Sequence, residues 1–142
     1  MARTPRYKLA DTAQQVVGGF LLAGPFVVTE EVWTLATRMT WFHAAVTVAI
    51  VFAIGYGALY EADDDRDPDR EAEVAGVPLR FLSLMLVSFG SVAVLALTLT
   101  APTTFLTDPS LTTTGRAAIT ARAVSVGAIF SVVGAATADS VF

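Results

Sequence analysis

Four charged residues stand in or against long apolar stretches of this 142-residue chain: Glu30, Glu31, Arg122 and Asp139. A charge in hydrocarbon costs about 2.5–3.5 kcal/mol on insertion scales, so it marks a proton or cation station or one half of an ion pair. Glu30 and Glu31 are adjacent, and close like charges together with desolvation favour a protonated carboxyl. On an unbroken helix Glu30 shares a face with Phe26, Ala23 and Gly19, and Glu31 shares one with Val27, Gly24 and Phe20. Arg122 falls at a similar depth on another segment and is the natural counter-charge, as a lock between helices or as a gate. Asp139 continues the line Ala123, Gly127, Ser131, Ala135, a helix-packing ridge at i+4 spacing. Each residue also has a plainer alternative. The glutamates are interfacial if the first helix ends near Thr29, Arg122 snorkels outward, and Asp139 is a polar helix end.

Other constellations point away from chemistry. His43 is the chain's one histidine and there is no cysteine, so no metal centre of the zinc type and no disulfide is expected. Asp65, Asp67 and Asp69 have the first three spacings of a calcium loop, but Arg70 replaces the required glycine and Gly76 the closing glutamate. No phosphate-binding glycine loop, nucleophile elbow or paired metal-ligand histidines occur. The sequence therefore implies neither an enzyme nor a cofactor, and an acidic chain without a basic patch argues against nucleic acid.

The elements that must position these residues are membrane helices. The chain is 54% hydrophobic and 15% charged, with mean hydropathy +0.62. Charge-free stretches of 18, 22 and 27 residues separate Asp11 from Glu30, Arg38 from Glu61, and Arg80 from Asp108, and Ala117–Ala138 carries Arg122 alone. About 20 apolar residues cross a bilayer as a helix. The expectation is an all-α, polytopic four-transmembrane-helix bundle in a single domain, 1–142, with spans near 12–35, 40–60, 81–101 and 116–138. Pro25 predicts a kink in the first span. Pro102 closes the third, and Ser88, Ser91 and Thr98 share one of its faces. Trp33, Trp41 and Phe42 at one end of the second span, and Tyr56 and Tyr60 at the other, follow the aromatic-belt pattern. Ala45, Ala49, Ala53 and Gly57 form a second small-residue ridge, and exposed ridges predict a homo-oligomer.

Residues 61–80 form the one long polar segment, with eight of the chain's thirteen acidic residues between Glu61 and Glu73. Arg3, Arg6, Lys8, Arg66, Arg70 and Arg80 fall on one side of the four-span arrangement, and Arg38 and Arg116 on the other. The positive-inside rule then puts both termini and the acidic loop in the cytoplasm of a multi-pass cell-membrane protein. The expected function is movement of a small ion, proton or solute through the bilayer. Glu30, Glu31 and Asp139 would be the polar stations and Arg122 the counter-charge. The alternative is a non-conducting scaffold or accessory subunit that docks partners through the acidic loop.

The segment GGFLLAGPFVVTEEVW (Gly18 to Trp33) resembles the opening of a family of uncharacterised prokaryotic integral membrane proteins, in which a glycine-rich apolar run with a proline leads into Thr-x-Glu-x-Trp, here Thr29, Glu31 and Trp33. Haloarchaeal versions look like this chain over most of its length, including GAATADSVF (Gly134 to Phe142). The family brings no assigned activity. The resemblance implies a multi-pass membrane location and draws attention to Glu31, Trp33 and Asp139. Glu30 stands where an apolar residue is expected. Longer members have about twice as many spans, so a short chain would compensate by dimerising. One lysine against eight arginines and a net charge of −4 fit a salt-loving source.

Overall fold

The computed structural model describes residues 9–61 and 73–141. The chain runs α1 (Leu9–Val27), α2 (Glu30–Arg38), α3 (Trp41–Tyr56) with a π-helical turn at Gly57–Glu61, a two-residue antiparallel pair β1 (Glu73–Val74) and β2 (Val77–Pro78), α4 (Leu79–Thr98), α5 (Ala101–Phe105) and α6 (Thr113–Val141). The architecture is helical, and α3 with its π turn, α4 and α6 are each long and apolar enough to cross a membrane. Residues 62–72, with the Asp65, Asp67 and Asp69 pattern, lie outside the described residues.

The first expected span, 12–35, is not one helix. α1 continues through Pro25 to Val27, and α2 then leaves at 81° to it. The pair counts as a span only if both halves are taken together, so among the described residues the helices long and apolar enough to cross number three, or four with the broken one. The break forms where local hydrogen bonds replace the helical ladder. The Thr29 hydroxyl and backbone N–H both donate to the Phe26 carbonyl, at 2.8 and 3.2 Å. The Trp33 indole N–H donates to the Val27 carbonyl at 2.9 Å. Two carbonyls that a helix end leaves open are thereby satisfied, which apolar surroundings demand. Glu30 and Glu31 fall in the first turn of α2, where negative charge complements the helix dipole. α2 buries Val32, Trp33 and Ala36 and exposes Glu30, Glu31, Thr34 and Leu35, an amphipathic helix suited to lying across the end of the bundle.

α6, of 29 residues, is the central helix, packed on α1, α4, α3 and α2. Its crossing with α1 is made by glycine on both sides: a Cβ on Gly18 would land on the Gly134 carbonyl oxygen, and one on Gly134 on the Gly18 carbonyl oxygen. Backbones approach this closely only without side chains between them. Against α4, Gly127 receives Val92. Ala123, Gly127, Ser131 and Ala135 are all buried inside the bundle, so the α6 ridge serves packing within the chain and is not an exposed oligomer face. The α3 ridge differs, with Ala45, Ala49 and Ala53 exposed. Large apolar side chains such as Leu21, Leu86, Leu97 and Phe52 point outward, a distribution suited to lipid and costly in water.

The other boundaries shift by local causes. α4 ends at Thr98, before Pro102, and Thr100 turns the chain at φ 58° into the short α5, which carries Pro102 in its first turn. The stretch between the expected third and fourth spans contains most of α5 and the start of α6. Thr98 is exposed, whereas Ser88 and Ser91 are buried.

Candidate functional site, a buried ion cluster at the terminal end of the bundle

The start of α1, the start of α4 and the end of α6 meet at one end of the bundle. Arg80, the second residue of α4, is 2% exposed and Asp139 of α6 is 4% exposed. The Arg80 Nη1 donates to both Asp139 oxygens, at 2.8 and 2.9 Å, and its Nη2 donates to Asp11 Oδ2 at 3.2 Å. Gln15, fully buried on α1, donates Nε2 to Asp139 Oδ2 at 3.2 Å and accepts at Oε1 from the Ser83 hydroxyl at 2.7 Å. Ser83 has spent its proton on Gln15, so at 3.0 Å the Thr12 hydroxyl is the donor to it. Donation runs Thr12 to Ser83 to Gln15 to Asp139, and Arg80 donates to Asp139 and Asp11. Arg80 and Gln15 both bring N–H groups to the Asp139 carboxylate.

The placement of the charges has a helix-dipole logic. Asp139 lies near the negative end of α6 and Arg80 at the positive end of α4, each unfavourable on its own helix. Antiparallel packing sets each charge against the neighbouring helix end that it complements. Asp11 occupies the first turn of α1, where an acid is favoured.

Polar groups continue from this cluster toward the middle of the bundle. Ser131 donates to the Gly19 carbonyl at 3.2 Å, so Ser91, 2.8 Å away, donates to Ser131. Ser88 donates to the Leu84 carbonyl at 2.6 Å. Beyond Ser91 the interior is mainly apolar, and the buried Ser125 hydroxyl donates back to the Ala121 carbonyl of its own helix at 3.0 Å. Ala23, Val27, Val32, Trp33, Ala36, Val92, Ala96 and Ala123 form one buried cluster, flanked by a Phe26–Phe130 stack at 3.7 Å and a Trp33–Phe105 stack at 6.1 Å.

The sequence-derived candidates separate into three places. Asp139 joins the cluster. Glu30 and Glu31 are exposed at the other end, beside Thr34 and Leu35, because the break at Val28–Thr29 removes them from the face of α1. Arg122 pairs with neither glutamate: its Nη1 donates to the Met39 carbonyl at 2.7 Å and its guanidinium lies 5.5 Å from the centroid of Trp41. His43 caps α3, its Nδ1 accepting from the Thr40 backbone N–H at 3.1 Å. Among the described residues no group of three metal-ligating side chains converges. Sequence reasoning missed Arg80, Gln15 and Asp11. Arg80 reads as the last charge of a polar loop. The available signal was spacing: Arg80, Ser83 and Ser91 recur at helical intervals, as do Asp11 and Gln15.

No family model, no curated protein and no solved structure matches the chain.

Proposed function

We propose that this chain is a non-conducting membrane scaffold or accessory subunit, with both termini and the acidic segment that precedes α4 on the cytoplasmic side and that segment serving to dock partners. The observation that carries the reading is the division of the interior. One end is locked by the Arg80–Asp139–Asp11 cluster, and the half beyond Ser91 is filled mainly by apolar side chains. A buried guanidinium–carboxylate pair ties α4 to α6 and, through Asp11 and Gln15, to α1. In this reading the cluster fixes which helices pack, and the eight acidic residues of the loop supply a recognition surface for a cationic partner.

The test is flux through liposomes holding the purified protein. The scaffold reading expects no protein-dependent flux of protons, sodium, potassium or chloride across a wide salt range. It also expects neutralisation of the loop acids to abolish partner capture while the bundle stays folded. A transport reading keeps one specific support, the line from Asp139 and Gln15 through Ser131, Ser91 and the Gly19 carbonyl. It would make Asp139 and Arg80 a station open to one face, with the apolar half parting during transport. Flux abolished by Asp139→Asn in a protein that still folds would establish it. A homo-oligomer belongs to either reading, supported by the exposed Ala45, Ala49 and Ala53 line.

A further inference from the structure

We infer that Arg122, together with Arg38, forms a binding site for the phosphodiester of an anionic membrane lipid at the α2 end of the bundle. The inference rests on membrane insertion alone and holds for a scaffold or a transporter. Arg122 is fixed by two contacts, the hydrogen bond to the Met39 carbonyl at 2.7 Å and the Trp41 ring at 5.5 Å. A guanidinium carries five N–H donors. Among the described residues Arg122 spends donors on Met39 alone, and its Nε–H is buried without an acceptor. The Nη2 edge, which is not among the buried unsatisfied atoms, keeps two donors that no described residue accepts.

The level at which this edge sits identifies the acceptor. Trp41 is the first residue of α3, and Trp41 and Phe42 are 64% and 74% exposed. Large exposed aromatic residues at a span end mark the headgroup boundary, where the abundant acceptors are phosphodiester oxygens. Arg38, the exposed last residue of α2, immediately precedes the Met39 carbonyl that Arg122 grips. The exposed Arg38 and the anchored Arg122 thus belong to the same turn, one preceding Met39 in the chain and the other bonded to its carbonyl. Glu30 and Glu31 lie at the opposite end of α2, about 12 Å away along the helix. Arg116 is directed elsewhere, toward the Asp108 carbonyl at 3.5 Å. Planar guanidinium forks suit phosphate oxygens. A net negative headgroup is favoured over a zwitterionic one, whose ammonium two arginines repel.

The experiment uses proteoliposomes of phosphatidylcholine containing either brominated phosphatidylglycerol or brominated phosphatidylcholine, read by tryptophan quenching. The chain has two tryptophans, and Trp33 is 1% exposed, so Trp41 reports the site. The expected result is stronger quenching by the anionic lipid, with the preference reduced about fivefold in Arg122→Gln, the effect of roughly one interfacial charge. Arg38→Gln alters an exposed side chain and should also weaken the preference. It decides the matter if Arg122→Gln fails to fold. Equal quenching by the two lipids, or a preference unchanged in Arg38→Gln, overturns the site. Displacement by soluble glycerol phosphate as effective as by lipid overturns the assignment to a membrane headgroup.

Discussion

Removing the Asp139 carboxylate should destabilise the bundle by about 3 kcal/mol, and removing its partner as well should recover part of that loss. Asp139 receives Arg80 Nη1 at 2.8 and 2.9 Å and Gln15 Nε2 at 3.2 Å. Polar contacts between membrane helices average about 0.6 kcal/mol each, which puts three of them near 2 kcal/mol. Breaking a buried ion pair in water-soluble proteins costs about 3–5 kcal/mol, because the surviving charge stays buried. Arg80 keeps Asp11 at 3.2 Å, so the value belongs toward the lower end. Asp139→Asn should cost less than Asp139→Ala, since an amide oxygen still accepts from Arg80. The double change Arg80→Met with Asp139→Leu removes both charges and should be more stable than Asp139→Ala. Equilibrium unfolding in mixed micelles, followed by circular dichroism, measures all four proteins. The lock argument is refuted if Asp139→Ala lies within about 0.5 kcal/mol of the original, the usual range for unconstrained surface changes. It is refuted equally if the double change is the less stable protein.

Glu31→Gln should leave stability unchanged within about 0.5 kcal/mol, since Glu31 is exposed and outside the cluster; the same unfolding assay checks it. Trp33→Phe keeps most of the ring but orphans the buried Val27 carbonyl, and a loss of about 1–3 kcal/mol is expected; thermal unfolding in detergent checks it. Gly134→Ala forces α1 and α6 apart at their crossing, because the new methyl meets the Gly18 carbonyl, and should cost at least about 1–3 kcal/mol; a crosslinking or spin-label distance across the pair should lengthen. Asp108 is held below its ordinary value of 3.8 chiefly by the Ser110 hydroxyl and then by the Ser110 N–H. A depressed acid stabilises its turn above the unfolded value and loses that contribution as pH falls through the folded one. The protection of the Ser110 amide relative to its intrinsic exchange rate should therefore hold at neutral pH and fall only below about pH 3.8.

Membrane-length apolar helices were legible because charge-free runs are a strong signal, and three of the four expected spans coincide with helices α3, α4 and α6 within a few residues. The broken first span was not legible from composition. Val28 and Thr29 are compatible with a continuing helix, and the break depends on Trp33 reaching back to Val27, a contact visible only once the chain has turned. That contact also gives the Thr29-x-Glu31-x-Trp33 stretch a structural role. Thr29 and Trp33 close the open end of α1, while Glu31 faces away. Asp139 could be singled out because it ends a ridge of small residues. Its partner was missed, because the pair is 59 positions apart and the helical spacing of Arg80 with Ser83 and Ser91 does not name Asp139. Arg80 borders the acidic segment and reads there as a solvated charge.

Burial of Arg80 changes the argument about orientation without reversing it. A guanidinium committed to Asp139 and Asp11 belongs to the helix core and should not be counted among the basic residues of a loop. In the proposed four-span topology, setting it aside assigns Arg3, Arg6, Lys8, Arg66 and Arg70 to the side of the termini, against Arg38 and Arg116 on the other. Adding Arg122 to the second group, as its place beside Met39 and Trp41 suggests, gives five against three. The proposed cytoplasmic termini then depend on Met1–Lys8 and on the acidic loop, not on the buried cluster. The cluster answers a different requirement. α1 and α6 meet through glycines that impose close approach but little directionality, whereas Arg80 can satisfy Asp139 and Asp11 together only when three helix ends are in register. Small residues let the helices touch, and the ion cluster selects where along their length they do so.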